Sequence, residues 1–384
     1  MKNIEYINKP EQLDDLCQRI ENTPWIAVDT EFLREKTYYP KFCLLQLATP
    51  EWVACVDPIA IKDLSKLFQT IYNPNVTKVF HSCRQDLEIF YQLTGALPTP
   101  IFDTQIAAPL LGFPDNTGYG MLVSSFLNIN LNKAHTRADW SSRPLSDDEI
   151  QYAADDVIYL CKIYQKMLKQ LKDLNRIDWL NDDFAALQNC EQYEVTPENA
   201  WLRVKGKTKL TGKQLSIIQV ISEWRERTAQ KENRPKNWLI RDELLLDFAK
   251  IQPETFDALS KIRGISERAL NYHGKELCAL IKKAKNLPPI PMPEFAKSVF
   301  NKDPKQEAII DILFALVRIR AEENLLNPTI LATRDDLESL LNGNHENCLL
   351  LKGWRFSMVG KELQQLLHGE IQLTIKDGNL TFIH

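Results

Sequence analysis

Asp29 and Glu31 stand two residues apart at the end of an apolar run, Trp25-Ile26-Ala27-Val28-Asp29-Thr30-Glu31-Phe32. The run has the composition of a buried strand, and on a strand side chains two apart share a face. The two carboxylates therefore project side by side, repel each other and lose water together. A cation relieves both costs, and paired carboxylates with water suit Mg²⁺ or Mn²⁺. Taken alone, the pair also fits two solvated acids at a strand terminus.

Further acids fall where local signals place them near such a strand end. Lys78-Val79-Phe80-His81 reads as another strand. Ser82-Cys83-Arg84-Gln85 then forms a capping-box pattern that opens a helix with Asp86 in its first turn. An acid there also simply opposes the helix dipole. His81 is a candidate neighbour of the site, against ordinary packing. Asp103 reads as the N-cap of a helix over 104–111. Ser146-Asp147-Asp148-Glu149 is a second capping box, opening a long helix to about Leu171. On it Tyr152 and Asp156, four apart, lie one above the other, while Asp155 sits about 100° around the axis. The loop from Gly112 to Gly120 lacks the strand-to-helix setting of a phosphate cradle. A polar stretch follows with Lys133, His135, Arg137, Asp139, Trp140 and Arg143.

The elements that must position these residues form a mixed α/β pattern. A helix over 12–22 precedes the Asp29 strand. Phe42–Ala48 and Trp52–Val56, joined by Thr49-Pro50-Glu51, extend it as an antiparallel meander. A helix over 61–72 then returns the chain to the Lys78 strand, which would run parallel.

At 384 residues, two or three domains are expected. With 44% hydrophobic and 26% charged residues the chain reads as soluble and globular. No leader pattern opens it, and no apolar run approaches about 18 residues, so a cytoplasmic protein without membrane contact is expected. Eight Cys contain no C-x-x-C, and six His are dispersed, which argues against zinc knuckles and disulfide frameworks. The net charge of −4 is uneven: residues 1–197 hold 18 basic and 27 acidic side chains, 198–287 hold 19 and 11, and 288–384 hold 10 and 13. An acidic front with a basic middle fits a carboxylate site joined to a polyanion-binding module. Past residue 200 the chain reads as helical and repeats at an offset of 93. Arg225, Arg227, Pro235, Arg241, Asp242 and Leu244 match Arg318, Arg320, Pro328, Arg334, Asp335 and Leu337. A Pro-rich linker, Leu287–Pro293, separates the copies, and Gln372–Ile383 around Asp377-Gly378 reads as a β-hairpin.

Val28-Asp29-Thr30-Glu31-Phe32, Asp86 and Tyr152-Ala153-Ala154-Asp155-Asp156-Val157 together resemble the motifs of the DEDD exonuclease superfamily, in its tyrosine-bearing subgroup. Phe42–Leu47, Phe102-Asp103-Thr104 and Asp139–Leu145 further resemble the bacterial ribonuclease D family, and the helical repeat resembles two HRDC domains. The resemblance covers essentially the whole chain. It implies a ribonuclease H-like exonuclease domain over 1–200, with a mixed sheet flanked by helices. Two small all-α HRDC bundles would follow at 208–287 and 296–384. It implies a monomeric 3′–5′ exoribonuclease that releases 5′-nucleotides and trims transfer-RNA precursors. Asp29, Glu31, Asp86 and Asp156 would hold two divalent ions, Mg²⁺ or Mn²⁺, about 4 Å apart. Tyr152 would position water, because a phenol with an ordinary pKa of about 10 is a poor base near neutrality. Asp155 departs from the family, which often has a small residue there, and is a candidate supporting group. Gln46, Lys133, Arg137 and Arg143 are candidate RNA contacts in the first domain. Lys205, Lys207, Lys209, Arg225, Arg227, Arg234, Lys236 and Arg241 are candidates in the repeat. Two other classes fit part of the pattern. A DNA 3′–5′ exonuclease would share the acids, but the tandem helical tail favours RNA. A non-catalytic nucleic-acid-binding protein would not need all four acids and the tyrosine.

Overall fold

A computed structural model of the chain describes residues 3–131, 138–194, 196–290, 303–344 and 348–383. Six strands make one sheet: β1 (Ile4–Ile7), β2 (Trp25–Leu33), β3 (Lys41–Ala48), β4 (Val53–Val56), β5 (Thr77–Phe80) and β6 (Ile101–Asp103). Their spatial order is β1-β4-β3-β2-β5-β6. β3 and β4 are antiparallel, as the meander predicts, and β5 returns parallel to β2 with Ala27 opposite Val79. β1 and β6 are strands that the sequence pattern does not announce. Each is short and extends an edge by parallel pairing, β1 on β4 and β6 on β5. Ile26, Ala27 and Val28 are buried, and so is β3 from Cys43 to Ala48, which puts the site-bearing strand in the interior of the sheet.

Helices α1 (Leu13–Glu21), α2 (Ser65–Ile71), α3 (Arg84–Thr94), α4 (Thr104–Ala107), α5 (Tyr119–Leu127) and α6 (Asp147–Asp173) flank the sheet. The second capping box forms as predicted: Ser146 Oγ accepts from the Glu149 amide and Glu149 accepts from the Ser146 amide. Ala153, Ala154, Val157, Leu160, Cys161 and Tyr164 recur at helical spacing along the inner face of α6 and are buried. The helix expected over 104–111 divides into α4 and a 3₁₀ turn, Ala108–Leu111, with Pro109 at its start.

The capping box at Ser82 does not form. Ser82 lies in the left-handed region at φ 59°, and the N-cap of α3 is Cys83, whose side chain makes no cap bond. The physical reason is a stronger acceptor nearby. The Asp103 carboxylate takes the amides of Ser82 (2.9 Å) and Cys83 (2.8 Å), and it also caps α4 through the Gln105 amide, as predicted.

The described residues divide into two compact units. One comprises the chain up to Glu31, Phe42–Cys190 and everything from Asp303; the other comprises Phe32–Lys41 and Glu191 to Ile290. In the first unit the C-terminal helices join the sheet region through a Trp179–Trp354 stack at 4.5 Å and 4°. Arg176 adds hydrogen bonds to the carbonyls of Leu110 and Asn324. The predicted hairpin is present as Gln372–Lys376 and Asn379–Ile383, with Asp377 and Gly378 both at positive φ, as a two-residue primed turn requires. In the second unit, helices α8 (Gly212–Glu232), α10 (Asp242–Ile251) and α12 (Glu267–Lys285) close on a core including Leu215, Ile218, Phe248, Leu277 and Ile281; shorter helices are α7 (Asn181–Leu187, in the first unit), α9 (Lys236–Leu239) and α11 (Phe256–Ser260). Segment 32–41 belongs here because Tyr38 packs on Ala229 and Leu239 and donates to the buried Glu226 (2.5 Å), while the Tyr38 and Tyr39 amides both donate to Asn233.

Arg143, expected as a phosphate contact, is a structural residue. Its guanidinium donates twice to Asp57 (2.6 and 2.8 Å) and once each to the carbonyls of Cys43, Trp140 and Ser142, which uses all five donors. Asp57 also accepts from Tyr6 and from the Ile59 and Ala60 amides. Burial alone would raise its pKa, but these bonds prevail and bring it down to about 2. Arg143→Ala should cost roughly 3 kcal/mol in urea denaturation, because it strands a carboxylate whose side chain is 2% exposed. The salt dependence of RNA binding should stay as in wild type; a changed slope would make Arg143 a phosphate ligand after all.

Candidate active site

Asp29 within β2, His81 just after β5, Tyr119 at the start of α5 and Tyr152, Asp155, Asp156 and Tyr159 along α6 line one cleft of about 600 Å³. Asp29 and Glu31 sit two apart on β2. Asp86 lies in the first turn of α3, is 6% exposed, and accepts a short hydrogen bond from Thr30, the residue between the other two acids. Asp156 stands one turn after Tyr152 on α6, and the Tyr152 ring tilts against Trp140 at 6.2 Å. The five residues singled out from sequence are thus gathered at one place from three elements.

The electrostatics of the acids are those of like charges out of water. Loss of hydration, then the charges of Asp29, Asp156 and Asp86, push Glu31 up to about 9. Loss of hydration, then Asp29 and Asp155, push Asp156 up to about 8. Asp29 rises to about 6, mainly by burial, against the Thr30 amide bond. Asp86 is raised well above the carboxylate range by burial and by Asp29, despite the Thr30 hydroxyl. Asp155 is half-buried, accepts from Gln151 (2.9 Å) and faces the cleft, so it adds charge felt by Asp156. An all-carboxylate donor set under mutual repulsion fits hard divalent cations. Among the described residues no three His, Cys, Asp or Glu side chains converge closely enough to ligate one ion as they stand.

Two residues of the cleft were not legible as site residues. Tyr119 opens α5 in the glycine-flanked stretch read only as a loop. Its hydroxyl donates to the main-chain carbonyl of Asp156, and its ring lies 5.2 Å from that of His81. Thr30 was hidden inside the acidic triplet. The pairing of a ring hydroxyl with a carbonyl 37 residues away leaves no trace in local pattern.

The other expected contacts are distributed differently. Gln46 is fully buried in β3, and its carboxamide has no hydrogen-bond partner among the described residues, so it is not exposed to a nucleotide. Lys133 and Arg137 lie outside the described residues. In the second unit Arg225 is buried and bonded to Asp242 (2.8 Å) and the Ile240 carbonyl, which makes it a core brace and not a phosphate contact. Arg227 pairs with Glu198 and Glu223, Arg234 with Glu232, and Lys236 with Glu226. Lys205, Lys209 and Arg241 are exposed, and Lys207 is half-buried.

The sheet order and a set of acids contributed by one strand and two helices define a 3′–5′ exonuclease domain, and the 3′–5′ exonuclease family model matches residues 4–172. The HRDC domain model matches residues 214–281. The chain is 38% identical to the ribonuclease D of Acidiphilium cryptum over 375 residues, covering 96% of this chain and 94% of that one. It is 37% identical to the ribonuclease D of Sphingobium indicum, covering 97% of each. The crystal structure of Escherichia coli RNase D, described as an exoribonuclease involved in structured RNA processing, superposes with a TM-score of 0.84 at 32% identity, covering 96% of this chain and 99% of that one. This chain belongs to the ribonuclease D family: it is a hydrolase, a 3′–5′ exoribonuclease of the metal-dependent exonuclease fold with a helical HRDC domain. Among the described residues no helix is long and apolar enough to cross a membrane.

The raised acids make a pH prediction for metal-free protein. A carboxyl whose folded pKa lies above its unfolded value, about 4, stabilises the fold most below that value and loses the contribution as pH rises through the folded pKa. Between about pH 6 and 9 the wild-type melting temperature in chelator should therefore fall relative to that of Glu31→Gln, by several degrees. Lys78 acts oppositely: burial pulls it down to about 7 although it donates to three carbonyls, and the difference profile removes it. Mn²⁺ should abolish the difference. Parallel profiles for the two proteins in chelator would refute the electrostatic account.

Proposed function

We propose that the cleft hydrolyses RNA from its 3′ end, releasing 5′-nucleotides, with two divalent cations, Mg²⁺ or Mn²⁺, held by Asp29, Glu31, Asp86 and Asp156. The observation that carries this is that Asp29, Asp156 and Tyr152 line one cleft of about 600 Å³, with Glu31 and Asp86 close enough to these acids that like charge raises their proton affinity. When bound, the cations supply an acidified water and positive charge for the phosphoryl group in flight. Asp29, Glu31 and Asp156 would hold the cation that activates water, and Asp86 together with Asp29 would hold the second. Asp86 would exchange its Thr30 bond for that role. Tyr152 would orient the water through its hydroxyl, a role that supports assignment to the tyrosine-bearing subgroup. Asp155 tunes the site through its charge on Asp156.

The substrate assignment follows the relatives: RNA 3′ ends, transfer-RNA precursors in particular, in the cytoplasm, by a monomer. We assign residues 1–200 to the exonuclease domain, 208–287 to one HRDC domain and 296–384 to a second, divergent one. The second copy is supported by its helices α13 (Pro304–Glu323), α14 (Pro328–Leu331) and α15 (Arg334–Leu341), which repeat the succession of α8, α9 and α10. Of the basic candidates, Lys205, Lys207, Lys209 and Arg241 are retained as RNA contacts.

The test is incubation with 5′-labelled single-stranded RNA and matched DNA, with Mg²⁺, Mn²⁺ or chelator. Metal-dependent shortening of the RNA from its 3′ end is expected, absent in folded Asp29→Asn and Asp156→Asn that still bind RNA. Preferred shortening of DNA would overturn the substrate assignment. Tyr152→Phe should lower kcat roughly a hundredfold with little change in KM, and an unchanged kcat removes Tyr152 from the chemistry. Replacing Lys205, Lys209 and Arg241 by Ala should flatten the salt slope of binding by about one for each phosphate left without its cationic side chain; an unchanged slope would clear them of RNA contact.

A further inference from the structure

His81 follows the last residue of β5 and lines the same cleft as Asp29, Tyr152 and Asp156, yet nothing so far gives it work. Its protonation pattern follows from its neighbours. The Thr104 hydroxyl has one proton, which it donates to the Phe80 carbonyl (3.0 Å), a group that can only accept. The Thr104 oxygen is therefore an acceptor toward His81 Nδ1, 3.0 Å away, and Nδ1 carries the imidazole proton. Nε2 is left as a bare lone pair on a ring in the cleft wall. The neighbouring hydroxyl cannot serve it, because Tyr119 donates to the Asp156 carbonyl, and no other donor among the described residues reaches it. Burial, opposed in part by the charge of Asp103, lowers the His81 pKa and keeps the ring neutral.

Nε2 is a neutral acceptor beside the carboxylates of Asp29, Asp155 and Asp156, which line the same cleft and accept too. Phosphate oxygens offer it no proton. The donors common to every ribonucleotide, whatever its base, are the sugar hydroxyls. We infer that His81 is a ribose-recognition residue, whose Nε2 accepts a hydrogen bond from the 2′-hydroxyl of the 3′-terminal nucleotide and so favours RNA over DNA. Thr104 is then a positioning residue: by accepting from Nδ1 it fixes the tautomer that makes Nε2 an acceptor. The main chain supports this placement, since Asp103 holds Ser82 in its left-handed conformation directly after His81.

The inference rests on the exoribonuclease reading of the same cleft, and the experiment separates the two. Wild type, His81→Phe and Thr104→Val would be assayed on an all-RNA oligomer and on the same oligomer with a 2′-deoxy or a 3′-deoxy terminal residue. For wild type, kcat/KM should fall about tenfold on the 2′-deoxy substrate, the value of one hydrogen bond. His81→Phe should lose about tenfold on all-RNA and no longer distinguish it from the 2′-deoxy oligomer. Thr104→Val should lose part of the discrimination. Equal slowing of His81→Phe on all three substrates, or sensitivity only to the 3′-deoxy terminus, would overturn the assignment. A variant that retains the full wild-type ratio would do the same. Long-range ¹⁵N–¹H spectra of the metal-free protein test the tautomer without any turnover: the His81 signal must show Nε2 unprotonated, and a protonated Nε2 defeats the inference. Wild type that shortens no RNA would sink the exoribonuclease reading, and this inference with it.

Discussion

Repulsion among buried carboxylates is the constraint around which the first unit is arranged. Asp29, Glu31, Asp86 and Asp156 are drawn from β2, α3 and α6, and no arrangement of their own side chains removes the electrostatic cost of keeping them together. The elements that carry them must therefore be held from outside the cluster. β2 is held as an interior strand between β3 and β5. The start of α3 is held by the Asp103 carboxylate through two consecutive amides, and the Asp156 turn of α6 by the Tyr119 hydroxyl on its carbonyl. Each tie uses a main-chain group of the acid's own element or its immediate neighbour. Of the carboxylates themselves, Asp86 accepts from the Thr30 hydroxyl and Asp29 from the Thr30 amide.

Asp57 is the useful contrast within the same sheet. It too is buried, and it too would be forced toward protonation by loss of water. There the chain supplies an arginine with two parallel donors, a tyrosine hydroxyl and two amides, and the carboxyl falls to about 2 while Glu31 in the cleft rises to about 9. One carboxylate has a guanidinium against it, and among the described residues no salt bridge is made to the other four. Among the described residues the cleft's charge is thus left without a basic partner, a condition that favours divalent cations.

The sequence made the acids and their elements legible because both rest on local pattern: apolar runs, period-two and period-four spacing, and one capping box that formed as written. It failed where a distant group outcompeted a local one. Ser82 has the pattern of a cap, but the Asp103 carboxylate, 21 residues on, is a better acceptor for the amides at that turn. Arg143 has the look of a phosphate ligand, but Asp57, 86 residues away, takes its fork. Gln46 looked reachable because the burial of β3 on both faces is a tertiary fact. β1 and β6, at four and three residues, carry too little pattern to be seen before their partners are known.

The same logic changes the meaning of the basic middle region. Its excess of positive charge suggested a phosphate-binding face, with the repeated arginines as its natural members. Yet Arg225 is buried between the end of α9 and the start of α10, where it satisfies a carbonyl and Asp242, itself a repeated position. In the second copy Arg320 forks onto Glu362, and Arg334 pairs with Glu307 and Glu338. Arg225, Arg320 and Arg334 thus tie together the helical segments that carry them and their partners. Arginine suits that task because one planar group can brace two elements at once. Charge counted along the chain therefore overstates the charge offered to a polyanion. The part left for binding lies in exposed side chains, Lys205 and Lys209 in the turn before α8 and Arg241 at the start of α10, which make no salt bridge among the described residues.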